Sequence, residues 1–224
     1  MIDLCVVATL RPRLLEKTIN SFLRHVKYSG DINVIVNIDF CPEEFKSSFE
    51  DVYNICDYFQ SKVSTLDIEP FRNLNNLEPN FALAVKTLWE KTKSKYVFHL
   101  EEDWEFLKPI DLDECIDFID DYIRFPKVGA DHLNCLHKLA LQPSLWRGDL
   151  CRELSKHMEI DKDPEKQLRQ NQDNGGIDKI LEYLILRDYG FEMVKDIGRD
   201  WRNENNLDKW NKNNKGKITW QKRS

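Results

Sequence analysis

Apolar positions in the first hundred residues switch repeatedly between continuous runs and helical spacing. Residues 4–10 form a short β-rich apolar run. In residues 13–26, Leu14, Leu15, Ile19, Phe22, Leu23 and Val26 then recur at the spacing of one helical face. A β-branched run over 32–40 leads to Asp39, and Phe45, Phe49, Val52, Ile55, Cys56 and Phe59 mark an amphipathic helix over 45–59. The pattern predicts a further strand over 63–68, a loop over the Asn-rich 72–80, a helix over 81–91 and a strand from Tyr96. Strand and helix in alternation predict an α/β fold whose parallel strands gather ligands at their carboxyl ends. Thr9, Leu10, Arg11, Asp39 and the triplet Glu101, Glu102, Asp103 would share that rim.

Beyond Trp104 the rhythm changes. The spacing predicts a helix over 112–124 starting near Asp111, a strand over 127–133, and an edge strand over 139–147, because Pro143 cannot donate to a central ladder. Short helices are expected over 148–157 and 164–170, the second with Pro164 in its first turn. After a loop over 171–176, Ile177, Ile180, Leu181, Leu184, Ile185 and Tyr189 predict a helix ended by Gly190. A last strand over 191–194 precedes the segment from Asp196 to Arg202.

Composition narrows the classes. The chain has 224 residues, 41% of them hydrophobic, with 12 Phe and 6 Trp, enough for a folded domain with a sizeable core. No apolar run approaches the roughly 20 residues of a bilayer span. The amino terminus lacks the basic and apolar segments of a signal peptide, so no transmembrane segment and a cytoplasmic location are expected. The 6 cysteines include no C-x-x-C pair, which argues against a zinc knuckle or redox dithiol. The net charge of -6 is uneven. Residues 209–224 hold Lys209, Lys212, Lys215, Lys217, Lys222 and Arg223 with Trp210 and Trp220 and no acid. This basic, aromatic tail suits an anionic surface, and equally a solvated end.

The triplet carries the candidate chemistry. Side chains alternate along a strand, so Glu101 and Asp103 would leave its end on one side and Glu102 on the other. Two converging carboxylates make a hard-oxygen site for Mg²⁺ or Mn²⁺, ions that commonly arrive with phosphate. A solvated acidic turn is the plainer reading of the same residues.

The order of these elements resembles the GT-A fold of nucleotide-sugar glycosyltransferases, particularly the family-2-like group. A strand runs into Thr9-Leu10-Arg11-Pro12, a second ends at Asp39, and a third closes on Glu101-Glu102-Asp103-Trp104 in the place of the family's D-x-D motif. The resemblance implies a central, mostly parallel sheet flanked by helices. It implies one glycosyltransferase domain over 1–208, with a nucleotide-sugar half to residue 107 and an acceptor half from 108, followed by the tail. It implies a metal-dependent enzyme moving a sugar from a nucleotide-diphosphate donor, a UDP-sugar by preference, to an acceptor hydroxyl with inversion. The acceptor would be a glycan or a hydroxymethylated DNA base, as in phage-type DNA modification.

By position, Thr9 and Arg11 would contact base or phosphate, and Asp39 uracil or ribose. Asp103 would bind the metal directly, Glu101 directly or through water, and Glu102 would belong to the donor-binding group. A departing diphosphate gathers negative charge, which a divalent cation neutralises as a Lewis acid. An acid near a helix start would serve as base, which points to Asp163 or Glu165; Asp163 before Pro164 also reads as a helix cap. The family's late histidine is missing, since the last here is His157, and Asp196 and Asp200 stand in that region as metal-ligand candidates. Arg199 and Arg202 are suited to a diphosphate, which guanidinium groups bind bidentately. His99 reads as a core residue beneath the strand end. Trp104 and Trp146 read either as an acceptor platform or as core. Two alternatives stand beside this reading. One is a non-catalytic sugar-nucleotide-binding module on the same fold. The other is a sugar nucleotidyltransferase, which would need a glycine-rich loop that residues 9–13 lack.

Overall fold

The first strand, β1 (Ile2–Ala8), is buried along its whole length, which places it at the centre of a sheet covered on both faces. A computed structural model describes residues 1–39, 49–63, 71–72, 80–129, 139–168, 175–211 and 218–223. After β1 come α1 (Pro12–His25), β2 (Val26–Lys27), β3 (Ile32–Ile38), α2 (Phe49–Val63), β4 (Phe71–Arg72) and α3 (Phe81–Lys91). Then follow β5 (Tyr96–Glu101), β6 (Trp104–Phe106), β7 (Ile110–Asp111), α4 (Leu112–Phe118), β8 (Tyr122–Arg124) and β9 (Ser144–Arg147). The chain continues through α5 (Gly148–His157), α6 (Pro164–Gln167), α7 (Gly175–Leu181), β10 (Leu186–Asp188), β11 (Val194–Asp196), α8 (Ile197–Glu204), β12 (Leu207–Asn211) and β13 (Ile218–Lys222).

The main sheet has 7 strands in the order β10-β8-β9-β5-β1-β3-β4. All its pairings are parallel except those of β9, which runs opposite to both neighbours. The expected α/β fold with a mostly parallel, helix-flanked sheet is therefore present. Strand alternation divides the core. Leu4, Val6, Val34, Val36, Phe98 and Leu100 pack with Leu15, Ile19 and Phe22 of α1 and with Val52 and Phe59 of α2. Cys5, Val7, Ile35 and Val97 pack on the other side with Val85, Leu88 and Trp89 of α3 and Leu150 and Leu154 of α5. Pro12 opens α1 at a position whose N–H needs no helical partner.

The second half departs from its sequence pattern in several places. The helix predicted over 112–124 stops after Phe118, and Tyr122–Arg124 turns into sheet strand β8. Burial decides this, because Tyr122 and Ile123 are both enclosed and their backbones pair with β9. Residues 144–147 are a central strand and not an edge one. Pro143 sits just outside the ladder, where its carbonyl accepts from the Phe125 N–H at 3.2 Å. The helix predicted over 177–189 ends at Leu181, and Leu186–Asp188 becomes β10, held by pairing with β8 and by the two-bond ion pair of Arg124 with Asp188 at 2.8 and 2.7 Å. The expected loop over 72–80 opens with Arg72 in β4, and the strand expected over 63–68 lies outside the described residues, except Val63, which ends α2. Most of the strand expected over 127–133 lies outside them too, with Lys127 bridging to Val194. The boundary expected at residue 208 falls inside β12, which forms an antiparallel hairpin with β13. Arg223 ties that hairpin back to Asp208 and Asn203, both at 2.8 Å.

Candidate functional site

Three chain segments meet where β1, β3 and β5 end. The Asp39 N–H donates to the Ala8 carbonyl at 2.7 Å and the Glu102 N–H to the Val7 carbonyl at 3.0 Å, so the ends of β3 and β5 are fastened to either side of β1. Parallel register does the rest, placing Val7 opposite both Asn37 and Glu101.

Glu102 lies beneath this rim, 1% exposed. Its carboxylate accepts from the Thr9 N–H, from the Thr9 hydroxyl, and from Arg11 Nε at 2.5 Å. Burial pushes the Glu102 carboxyl above its ordinary range, an effect that Arg11 and the Thr9 donors reduce without cancelling. Its carbonyl accepts from the Thr18 hydroxyl at 2.5 Å, which in turn accepts from the Trp104 N–H at 3.2 Å. Glu102 is thus the post on which the loop between β1 and α1 is built.

Asp103 follows in a turn, and its carboxylate meets Arg11 Nη2 at 3.1 Å. Strand alternation predicts Glu101 and Asp103 as the converging pair, yet the structure joins Glu102 and Asp103 through Arg11. Alternation ends with the strand at Glu101, whose carboxylate accepts from Trp104 Nε1 at 3.2 Å.

Helix α8 docks on the same point. The Asp103 carbonyl accepts from the N–H groups of Ile197 at 3.0 Å and Gly198 at 3.3 Å. A side chain on Gly198 would put Cβ 2.1 Å from Asp103 Oδ2, so only glycine lets the helix approach this closely. From there Trp201 lies under the Arg11 guanidinium, 5.2 Å from ring centroid to carbon. Arg202 is half-buried, which pushes its basicity down, while Asp196 and Asp103 raise it and Arg11 lowers it further. It belongs to the same charge cluster.

The other late residues have different partners. Asp196 caps α8, accepting from the Arg199 N–H at 2.8 Å. Arg199 is exposed, its Nε 3.8 Å from Asp196 Oδ2. Asp200 pairs with Lys195 at 2.7 Å, which holds its carboxyl below the usual range. Among the described residues no three His, Cys, Asp or Glu side chains gather as a metal-ligand group.

Asp39, 4% exposed, accepts the Asn80 N–H on both oxygens at 3.1 Å. Asn80 caps α3 through the Leu83 N–H at 2.9 Å, and its amide donates to the Ile160 carbonyl at 3.1 Å. Asn80 thereby links Asp39 to the acidic run 161–165, more than a hundred residues further along the chain. Within that run Asp163 caps α6, accepting from the Lys166 N–H at 3.2 Å, and Glu165 lies half-buried in its first turn. Gln167, fully buried, fixes the loop by accepting from the Glu159 N–H at 2.8 Å and donating to the carbonyls of Glu159 at 2.9 Å and Lys162 at 3.2 Å.

His99 is core, as its sequence position suggests: neither ring nitrogen has a hydrogen-bond partner among the described residues, and burial pushes its pKa down to about 3. Trp146 is wholly enclosed against Trp89 and Tyr122, so it offers no acceptor platform, and Trp104 is 6% exposed. Thr18, Asn80, Gln167, Gly198 and Trp201 do not stand out as site residues in the sequence. Only Asn80, one residue before a predicted helix, carries a local signal.

No protein-family model matches this sequence. No curated protein matches it either. Solved structures do. The mannosyltransferase PcManGT from Pyrobaculum calidifontis, solved with GDP-Man and Mn²⁺, superposes with a TM-score of 0.61 at 12% identity, covering 88% of this chain and 56% of that one. TarS of S. aureus gives 0.52 at 12% identity, covering 75% of this chain and 32% of TarS. Its 1–349 fragment with UDP also gives 0.52 at 12% identity, and 53% of that fragment is covered. The chain thus spans about half or less of each of these proteins. They share its fold, a mixed α/β arrangement with a central, mostly parallel sheet flanked by helices. No helix among the described residues is long and apolar enough to cross a membrane.

Proposed function

We propose that this chain is a metal-dependent glycosyltransferase that moves a sugar from a nucleotide-diphosphate donor, preferentially a UDP-sugar, to an acceptor hydroxyl with inversion. The observation that carries the reading is the cluster of Thr9, Arg11, Glu102 and Asp103, which is built from the carboxyl ends of β1 and β5 beside Asp39 at the end of β3. The fold shared with PcManGT, solved with GDP-Man and Mn²⁺, and with the TarS fragment, solved with UDP, supports a nucleotide-sugar donor.

The donor set fits a hard divalent ion. Asp103 offers carboxylate oxygen, its side chain is 14% exposed, and a positive group already sits 3.1 Å from it. Such ions typically use one or two carboxylates plus substrate phosphates, so a full protein cage is not required. Asp103 would hold the ion, with Glu101 directly or through water. Bound there, it would act as a Lewis acid on the leaving diphosphate. Arg11 and Arg202 would bind phosphate oxygens, and Asp39 with the adjacent Thr9 corner would orient the nucleoside. Asp163, which also caps α6, or Glu165 in the first turn of α6 would serve as base, taking the proton of the acceptor hydroxyl as the acceptor oxygen attacks the anomeric carbon. The acceptor is a glycan or a hydroxymethylated DNA base.

Hydrolysis of UDP-sugars and of GDP-Man, measured with and without Mn²⁺, tests this. Wild type should turn over only with the metal, and Asp103→Ala should lose at least about a hundredfold. Absence of turnover, or indifference to Asp103→Ala, would favour a non-catalytic binding module.

A further inference from the structure

We infer that Arg11 couples the divalent ion to the diphosphate: it is the counter-ion of Asp103 in the ligand-free protein, and transfers from that carboxylate to phosphate when both ligands bind. The inference rests on the proposed role of Asp103 in holding the metal.

Arg11 is held on three sides. Its Nε bonds Glu102 at 2.5 Å, its Nη2 bonds Asp103 at 3.1 Å, and its central carbon lies 5.2 Å from the centre of the Trp201 ring. The Thr9 N–H and Arg11 Nε donate to Glu102 and favour its carboxylate form, against the burial that opposes it. Arg11 is thus shared between Glu102 and Asp103, and Arg202, beside Asp196 and Asp103, adds a second positive charge to the cluster. The ion pairs of Arg11 are largely shielded from solvent, where charge is weakly screened.

The Arg11–Asp103 pair sets the order of affinities. A divalent ion arriving alone at Asp103 must displace Arg11 Nη2 and then stand beside two guanidinium groups of like charge. A diphosphate arriving alone meets Arg11 while it is still committed to Asp103. When both arrive, Asp103 would be left to the ion and the released edge of Arg11 to the diphosphate, whose opposite charges largely offset one another. Glu102 and Trp201 keep Arg11 in place throughout, which makes them positioning residues for it. Each ligand thus raises the affinity of the other, by the same factor in both directions.

Mn²⁺ binding to the full chain, followed by the electron paramagnetic resonance of the unbound ion with and without UDP and corrected for Mn²⁺–UDP pairing in buffer, tests this. Wild type should bind Mn²⁺ weakly alone and about tenfold or more tightly with UDP. Arg11→Gln should bind Mn²⁺ alone about tenfold more tightly than wild type and gain less from UDP. If Arg11→Gln binds Mn²⁺ alone no better than wild type, while wild type with UDP binds it well, the coupling role falls and the metal site stands. If no protein binds Mn²⁺ even with UDP, both fall. Should circular dichroism show Arg11→Gln unfolded, Arg11→Lys carries the test, because it keeps a buried positive charge beside Glu102 and removes the guanidinium edge that reaches Asp103. Tighter binding of Mn²⁺ alone supports the role, and unchanged binding overturns it.

Discussion

Two buried ionisable residues near the rim behave in opposite ways. Glu102 is surrounded by donors and has a purpose in the fold, since removing it would leave Arg11 buried without its nearest counter-ion. His99 sits a few residues earlier in the sequence, fully enclosed and edge-on to Trp89 at 5.9 Å, with both nitrogens unpartnered among the described residues. Its pKa is about 3 against an ordinary 6.5, so the unfolded chain takes up a proton over this interval that the folded chain does not. Stability is then intact above pH 6.5 and falls on acidification by up to about 1.4 kcal/mol per pH unit. His99→Leu removes that loss. Urea melts at about pH 7 and about pH 5 should show wild type losing about 2 kcal/mol more than the variant over this span. Equal acid sensitivity in the two proteins would mean that His99 is not held neutral.

At the scale of elements, the loop over 159–163 is the case where one side chain stands in for secondary structure. Gln167 supplies the partners of three backbone groups that no helix or strand satisfies. Gln167→Leu would remove all three bonds, leaving the Glu159 carbonyl with the Lys162 N–H at 3.4 Å, at a cost of about 1–2 kcal/mol. Because the loop leads into α6, which carries Glu165, the variant should also lose kcat while its UDP affinity stays near that of wild type. A thermal melt, a UDP titration and a turnover assay check these outcomes, and a variant as stable as wild type would show that the three bonds contribute nothing.

For the whole molecule, the charge distribution decides what a large anionic acceptor would meet. A net charge of -6, with six cations in residues 209–224 and no acid there, leaves -12 on the first 208 residues. Duplex DNA would be repelled by the first 208 residues and attracted by residues 209–224. A DNA acceptor therefore requires that the tail cations bind it. Replacing Lys212, Lys215 and Lys217 with Gln should then weaken duplex binding and reduce its logarithmic salt slope by about 0.9 for each phosphate no longer neutralised. Binding that is absent, or that lacks salt dependence, assigns the acceptor to the glycan reading.

Much of this was legible in the chain itself. The apolar run of β1, the helical face of α1, the span of α3 and the rim positions of Arg11, Asp39 and Asp103 all follow from periodicities that local geometry imposes. What periodicity could not reveal were the short strands β8 and β10, because three-residue segments carry too little pattern and are strands only through what they pair with. The division of labour in the acidic triplet was equally hidden. Alternation holds only while a strand lasts, and the turn after Glu101 sends Glu102 inward to Thr9 and Arg11 and sends Asp103 toward Gly198. That acids stand at the end of a buried strand follows from the order of residues along the chain. Which of them Arg11 neutralises is a matter of the folded arrangement, because it depends on α8 arriving from almost a hundred residues away.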